Sequence, residues 1–192
     1  MKKYILIALF ILASIQIFAQ TGLKTGEQAP LFTAKDNSGK TVDLKALLKT
    51  HKAIVLFFYR GQWCPYCNKQ MSHIQDSLQL LTNKGAYVVG ITPETSENIS
   101  KTAEKTKASF SLVHDNDYKI MKDYKVDYVM DNAIVANYKK HGLDLEQNNG
   151  NTDHVLPVPA TYVIDKNGKL IFAHFDKDYT KRPSVKSILD VL

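Results

Sequence analysis

Cysteine is scarce in this 192-residue chain: there are two, three positions apart, in Cys64-Pro65-Tyr66-Cys67. That scarcity excludes a disulfide-stapled scaffold, because a Cys64–Cys67 bond closes too small a loop to stabilise a fold. It also argues against a structural zinc site, which as a rule needs four ligands. No third cysteine exists, and the six histidines (His51, His73, His114, His141, His154, His174) are scattered with no close pair. Runs of like charge are missing too. The 25 basic and 19 acidic residues are interleaved, which describes a solvated mixed surface and not a nucleic-acid interface. There is no internal repeat.

Only the N-terminus carries a long apolar stretch. Lys2 and Lys3 precede an apolar run from Tyr4 to Phe18, broken by Ser14 and Gln16, with the small Ala19 before Gln20. This is the layout of a signal peptide, although Ile17 is bulkier than the small residue favoured three positions before a cut. The alternative is a single-pass anchor, for which the run is short of the roughly 20 residues that span a bilayer. No cysteine lies near the cut to carry a lipid. We expect residues 1–19 to be a signal peptide and the protein to be exported, periplasmic in a bacterium, with no lasting membrane anchor. Residues 20–192 then form one domain, long enough to bury a core without staples.

Along that domain, Ala29 to Ala34 reads as an edge strand, Asn37 to Lys40 as a turn and Thr41 to Leu44 as its return arm. Leu44 to Lys49 suits a helical turn. The unbroken apolar run from Ala53 to Tyr59 suits a central strand buried on both faces. A helix is expected from Cys67 to about Asn83, with Met71, Ile74, Leu78 and Leu81 on its inner stripe and Gly85 ending it. Tyr87 to Ile91 and Ser109 to Val113 read as strands and Thr95 to Thr106 as a polar helix. Asp115 or Asn116 can cap a helix running to about Tyr124. Val126 to Leu156 gives no clear pattern, and Gln147 to Asn151 reads as a polar loop. Thr161 to Asp165 and Leu170 to Ala173 form a hairpin across Lys166-Asn167-Gly168-Lys169, and Arg182 to Leu192 a final helix. Strands alternating with helices imply an α/β fold around a mixed central sheet.

The cysteine pair thus falls between a buried strand and a helix. A cysteine at a helix N-terminus meets unpaired backbone N–H groups and the positive end of the helix dipole. Both favour the thiolate, the reactive form. The second cysteine lies one turn deeper, where it can resolve a mixed disulfide or a sulfenic acid on the first. Pro65 suits the first helical position, where its missing N–H is harmless. The motif therefore points to thiol redox chemistry.

Several strings resemble the thioredoxin-fold superfamily, and within it the redoxin (AhpC/TSA, peroxiredoxin-like) family. Gly26 to Phe32 followed by Asp36-Asn37-Ser38-Gly39 resembles the redoxin N-terminal hairpin. Trp63-Cys64-Pro65-Tyr66-Cys67 resembles the thioredoxin-type active site, and Leu156 to Asp165 the loop and strand bearing the superfamily's cis-proline. Tyr59 to Cys67 and Asp176 to Arg182 resemble a peroxiredoxin-like subgroup. The resemblance implies a thioredoxin-like fold with an N-terminal hairpin. It implies that Pro159 is cis, an isomer X-Pro bonds reach cheaply, so that the Val158 backbone faces the cysteines and can pair with a substrate strand.

The resemblance also implies a thiol–disulfide oxidoreductase with Cys64 as nucleophile and Cys67 as resolver. Its partners would be protein dithiols or disulfides, with an external thiol reductant, no nucleic acid and no cofactor. A thiol-dependent peroxidase is the alternative, but the usual peroxide-activating residues are replaced: Gly61 stands at the threonine position, Phe57 at the proline and Pro159 near the arginine. Arg60 is a candidate substitute, since a guanidinium beside Cys64 would hold its thiolate; Arg182 is expected to be a surface or structural residue. Trp63, Pro65 and Tyr66 are candidate substrate contacts, and Asp178 and Tyr179 are expected to be structural. A further alternative is a Sco-like copper-binding assembly protein, with His154 as third ligand beside the two thiolates.

Overall fold

A computed structural model describes residues 21–192, and the expected signal peptide lies outside them. The described residues open with a small hairpin, β1 (Thr33–Lys35) against β2 (Thr41–Asp43), around the expected turn. Asp43 caps α1 (Leu44–Thr50) by accepting the Ala46 N–H. Then follow β3 (Ala53–Phe58), α2 (Pro65–Asp76), α3 (Leu78–Asn83), β4 (Ala86–Thr92), α4 (Ser96–Thr106), β5 (Ser111–His114) and α5 (Lys119–Asp123). The stretch that gave no pattern contains β6 (Asp127–Val129), α6 (Asn132–Lys140), α7 (Leu145–Asn149) and β7 (Val155–Pro157). The chain ends with β8 (Ala160–Asp165), β9 (Leu170–Phe175) and the short α8 (Val185–Leu189).

The main sheet has the order β5-β4-β3-β8-β9. β3, β4 and β5 run parallel, while β8 and β9 are antiparallel additions. All six residues of β3 are buried, as its unbroken apolar run requires. Side chains alternate across a strand, and here the alternation separates two cores. Ile54, Leu56 and Phe58 face one, with Leu44, Ile91, Met121, Tyr124 and Tyr162. Ala53, Val55, Phe57 and Tyr59 face the other, with Met71, Ile74, Leu81, Leu112 and both cysteines. The redox motif is therefore part of a packed core.

Three expectations change in detail. The helix after the cysteines breaks at Ser77 into α2 and α3; Met71, Ile74 and Leu81 stay buried, and Leu78 is half-buried. The Gln147 to Asn151 stretch is largely helical, because Asp144 accepts the Gln147 N–H and Gly150 closes α7 at φ +72°. The terminal helix is shorter than expected and starts after the Ser184 cap.

Residues 127–157 form a satellite. β6 pairs with β7, and Met130, Val135, Leu145 and Leu156 make a third apolar cluster against Trp63, Tyr128 and Tyr138. This packing fastens the segment onto the cysteine motif.

Candidate active site

The motif lies just beyond the C-terminal end of β3. Tyr59 still donates to Ile91 O at 3.0 Å, and the chain then turns, with Cys64 N donating to Gly61 O at 3.0 Å. Gly61 sits at φ +153°, where a Cβ would lie 2.5 Å from Trp63 Nε1 and 2.7 Å from Glu94 Oε1. Only glycine fits that turn. Cys64 is the cap of α2, Pro65 occupies its first turn, and the Cys67 N–H donates to Cys64 Sγ at 3.3 Å. Both thiols are free, Cys64 1% and Cys67 0% exposed.

Each sulfur has its own arginine. Arg182 Nη2 donates to Cys67 Sγ at 3.3 Å. The same guanidinium is held by Gln70 Oε1 at 2.7 Å and by the carbonyls of Tyr179 and Lys181, both at 2.6 Å. Gln70 is buried and donates in turn to Thr161 Oγ1 at 3.0 Å. Arg60, 2% exposed, lies between the rings of Trp63 (4.8 Å) and Tyr179 (4.5 Å). It donates to the Tyr138 hydroxyl at 3.1 Å, while its Nε has no hydrogen-bond partner among the described residues and its charge favours the Cys64 thiolate. Tyr66, 42% exposed, meets Tyr179 edge-on at 5.9 Å.

Two sulfurs in such contact titrate together. Cys64 is pushed up, chiefly by its hydrogen bond to Cys67 and by burial. Burial opposes ionisation of Cys67 too, but the Cys64 hydrogen bond and the Arg182 charge bring it down to about 6. The pair thus loses its first proton easily and holds the second. One thiolate, braced by an arginine at each end, is available near neutral pH. Such a pair can attack a sulfur or an oxygen and can close on itself as a disulfide.

The AhpC/TSA family pattern matches residues 25–173. The chain belongs to the AhpC/TSA family. Two similar AhpC/TSA relatives are the chloroplastic peroxiredoxins Q of Sedum lineare and Arabidopsis thaliana. The first is 32% identical over 79% of this chain and 68% of its own length; the second is 34% identical over 79% and 58%. The chain thus spans about 58–68% of these two relatives. Among solved structures, peroxidoxin BcpB from Mycobacterium tuberculosis superposes with a TM-score of 0.68 at 21% identity, covering 88% of this chain and 96% of that one. The expected thioredoxin-like fold is therefore present.

Within this AhpC/TSA frame the structure corrects three expectations. No described peptide bond is cis, so the bond before Pro159 is trans. Val158 is buried and donates its N–H to Val126 O at 2.7 Å, so the residue that leads into the satellite already uses the backbone donor expected to receive a substrate strand. Arg182 is not a surface residue: the chain after β9 folds back over α2 and brings it to Cys67. Tyr179 packs its ring against Arg60 and edge-on against Tyr66, and Asp178 does local work, accepting from Thr180.

The copper alternative loses its third ligand. Both His154 nitrogens are engaged, Nε2 with Glu146 Oε1 at 3.1 Å and Nδ1 with Asn132 Oδ1 at 3.3 Å. No group of three metal-binding side chains gathers among the described residues.

Sequence reasoning missed Glu94. It is fully buried beneath the Gly61–Cys64 turn and accepts the Gln62 N–H at 2.7 Å. A signal did exist: Glu94 follows the parallel strand β4 by two residues, and ligands of α/β folds gather at the C-terminal ends of parallel strands.

Proposed function

We propose that this AhpC/TSA protein is an exported thiol–disulfide oxidoreductase that cycles between a Cys64/Cys67 dithiol and the Cys64–Cys67 disulfide. The carrying observation is the pair of buried free sulfurs one helical turn apart, with the Arg182 guanidinium on Cys67 Sγ at 3.3 Å. Cys64, the cap residue, is the nucleophile. The proton that the two sulfurs share passes to Cys67 Sγ, and the Cys64 thiolate attacks one sulfur of a partner disulfide; the Cys64–partner bond forms, and the other partner sulfur leaves as a thiolate that takes the proton from Cys67. Cys67, as thiolate, then attacks Cys64 Sγ and expels the second partner sulfur. Two electrons pass to the partner, and an external dithiol restores the pair. Trp63, Tyr66 and Tyr179 rim the site where a partner would dock. The reading includes residues 1–19 as a signal peptide, with 20–192 as the working domain.

A second reading, thiol-dependent peroxidase, is favoured by Arg60, whose buried Nε, beside Cys64, is unpartnered among the described residues, and by relatives named peroxiredoxin. Here the Cys64 thiolate attacks a peroxide oxygen, the O–O bond breaks, and the leaving oxygen is protonated. Cys67 then displaces the hydroxyl of the Cys64 sulfenic acid as water. Stopped-flow oxidation of the reduced protein, followed by Trp63 fluorescence, separates the two. Faster reaction with a protein disulfide than with equimolar hydrogen peroxide supports the first reading, and the reverse order establishes the second. In either, Cys64→Ser abolishes turnover and Cys67→Ser accumulates a species trapped on Cys64. Normal turnover by Cys67→Ser would defeat the resolving role.

A further inference from the structure

Glu94 is the buried ionisable group that the disulfide cycle leaves unused. It is 0% exposed. Its contacts are the Gln62 N–H on Oε1 at 2.7 Å and the Thr102 hydroxyl on Oε2 at 3.4 Å. No cation forms an ion pair with it among the described residues: the Lys101 ammonium, on the neighbouring α4, is 2.7 Å from Glu97 instead. From the other elements packed around it, the groups facing Glu94 are Cys67 on α2 and the Tyr59 hydroxyl at the end of β3. That hydroxyl is buried, facing the Thr92 and Thr102 hydroxyls. The carboxyl and the sulfur pair thus share one buried compartment. A thiolate and a carboxylate together would put two like charges there, each raising the free energy of the other.

We propose that Glu94 is the redox-linked proton carrier of the cysteine pair, binding a proton when the disulfide is reduced and releasing it when the disulfide reforms. This rests on the dithiol–disulfide cycle proposed above. The balance is as follows. The oxidised site holds a neutral disulfide and a Glu94 carboxylate. A partner dithiol supplies two electrons, the Cys64–Cys67 bond breaks, and two protons enter. One is shared by the sulfurs, leaving one thiolate, and one neutralises Glu94. The compartment carries a single negative charge before and after; the charge moves from the carboxyl to the sulfurs. Glu94 is thus a positioning residue acting through the charge on Cys67. Burial, against the Gln62 and Thr102 hydrogen bonds, pushes its pKa up to about 8 in the reduced protein, with the Cys67 charge adding to the rise.

The test is the number of protons taken up per disulfide reduced. The full-length protein is equilibrated with a dithiol/disulfide couple of known proton uptake across a pH range bracketing 8. In the wild type, uptake should rise from one toward two in a window just below that pH and return to one above it. Glu94→Gln keeps an acceptor for the Gln62 N–H but cannot titrate; it should take up one proton throughout. Within the window, the equilibrium constant of the variant should change tenfold less per pH step than that of the wild type. Glu94→Asp should restore the window. Identical proton counts in wild type and Glu94→Gln overturn the proposal while leaving the disulfide cycle intact. Failure of any Cys64–Cys67 disulfide to form removes the cycle and the proposal together. If Glu94→Gln does not fold, redox-triggered infrared difference spectra of the wild type decide: a protonated-carboxyl C=O band must appear on reduction, and its absence overturns the proposal.

Discussion

At the scale of single residues, the site sets a guanidinium against the sulfur pair and leaves the buried Glu94 carboxyl without a cation among the described residues. Arg182 supplies that guanidinium, since it touches Cys67 Sγ and is locked by Gln70 and two carbonyls. Removing it takes away a charge-assisted hydrogen bond, so Arg182→Ala should lose its thiolate absorbance at higher pH than the wild type, which keeps it down to about 6. About tenfold less thiolate near that pH is the expected scale, and Arg182→Lys should fall between. Glu94 gives a second residue-level prediction. Its folded pKa, about 8, lies above the ordinary glutamate range, so between the two values the folded chain holds a proton that the unfolded chain releases. Stability must then fall as pH rises from about 4.5 to 8. Urea melts of the reduced protein should show that decline, and Glu94→Gln should flatten it.

At the scale of elements, the close packing of β3 against β4 determines what the sheet can tolerate. Gly90 pairs with Phe57 in the register of these strands, and a Cβ on it would lie 2.7 Å from Phe57 Cζ and 2.8 Å from Leu112 Cδ2. Gly90→Ala should therefore destabilise by about 1–3 kcal/mol through overpacking, measured as a lowered urea midpoint with unchanged slope. β3, β4, β8 and β9 were legible because apolar runs between turn residues leave few alternatives. The Ser77 break between α2 and α3 was not, because the apolar stripe continues across it and only the backbone departs, at φ −104°, ψ 6°. α7 was hidden by its composition, as Gln147-Asn148-Asn149 has no apolar period and its helix rests on the Asp144 cap and Gly150.

At the scale of the molecule, the satellite and the chain after β9 complete the site from two sides. The satellite packs on Trp63 and supplies Tyr138 to Arg60, while the C-terminal segment supplies Tyr179 and Arg182. Leu156 lies at the centre of the satellite cluster and is fully buried. Leu156→Ala should lower stability by about 2–5 kcal/mol. It should also shift Trp63 fluorescence and slow the reaction of Cys64, an effect that a cavity remote from the site would not have. The sequence by itself determined the cysteine pair, the strand before it and the helix cap on which Cys64 sits, because these depend on neighbours a few positions apart. Only the tertiary structure decided that Arg182 reaches Cys67 across 115 positions, that Arg60 is enclosed by aromatic rings, and that Glu94 is buried beneath the motif. Those placements come from close packing between distant segments, and a local pattern in the chain carries no record of them.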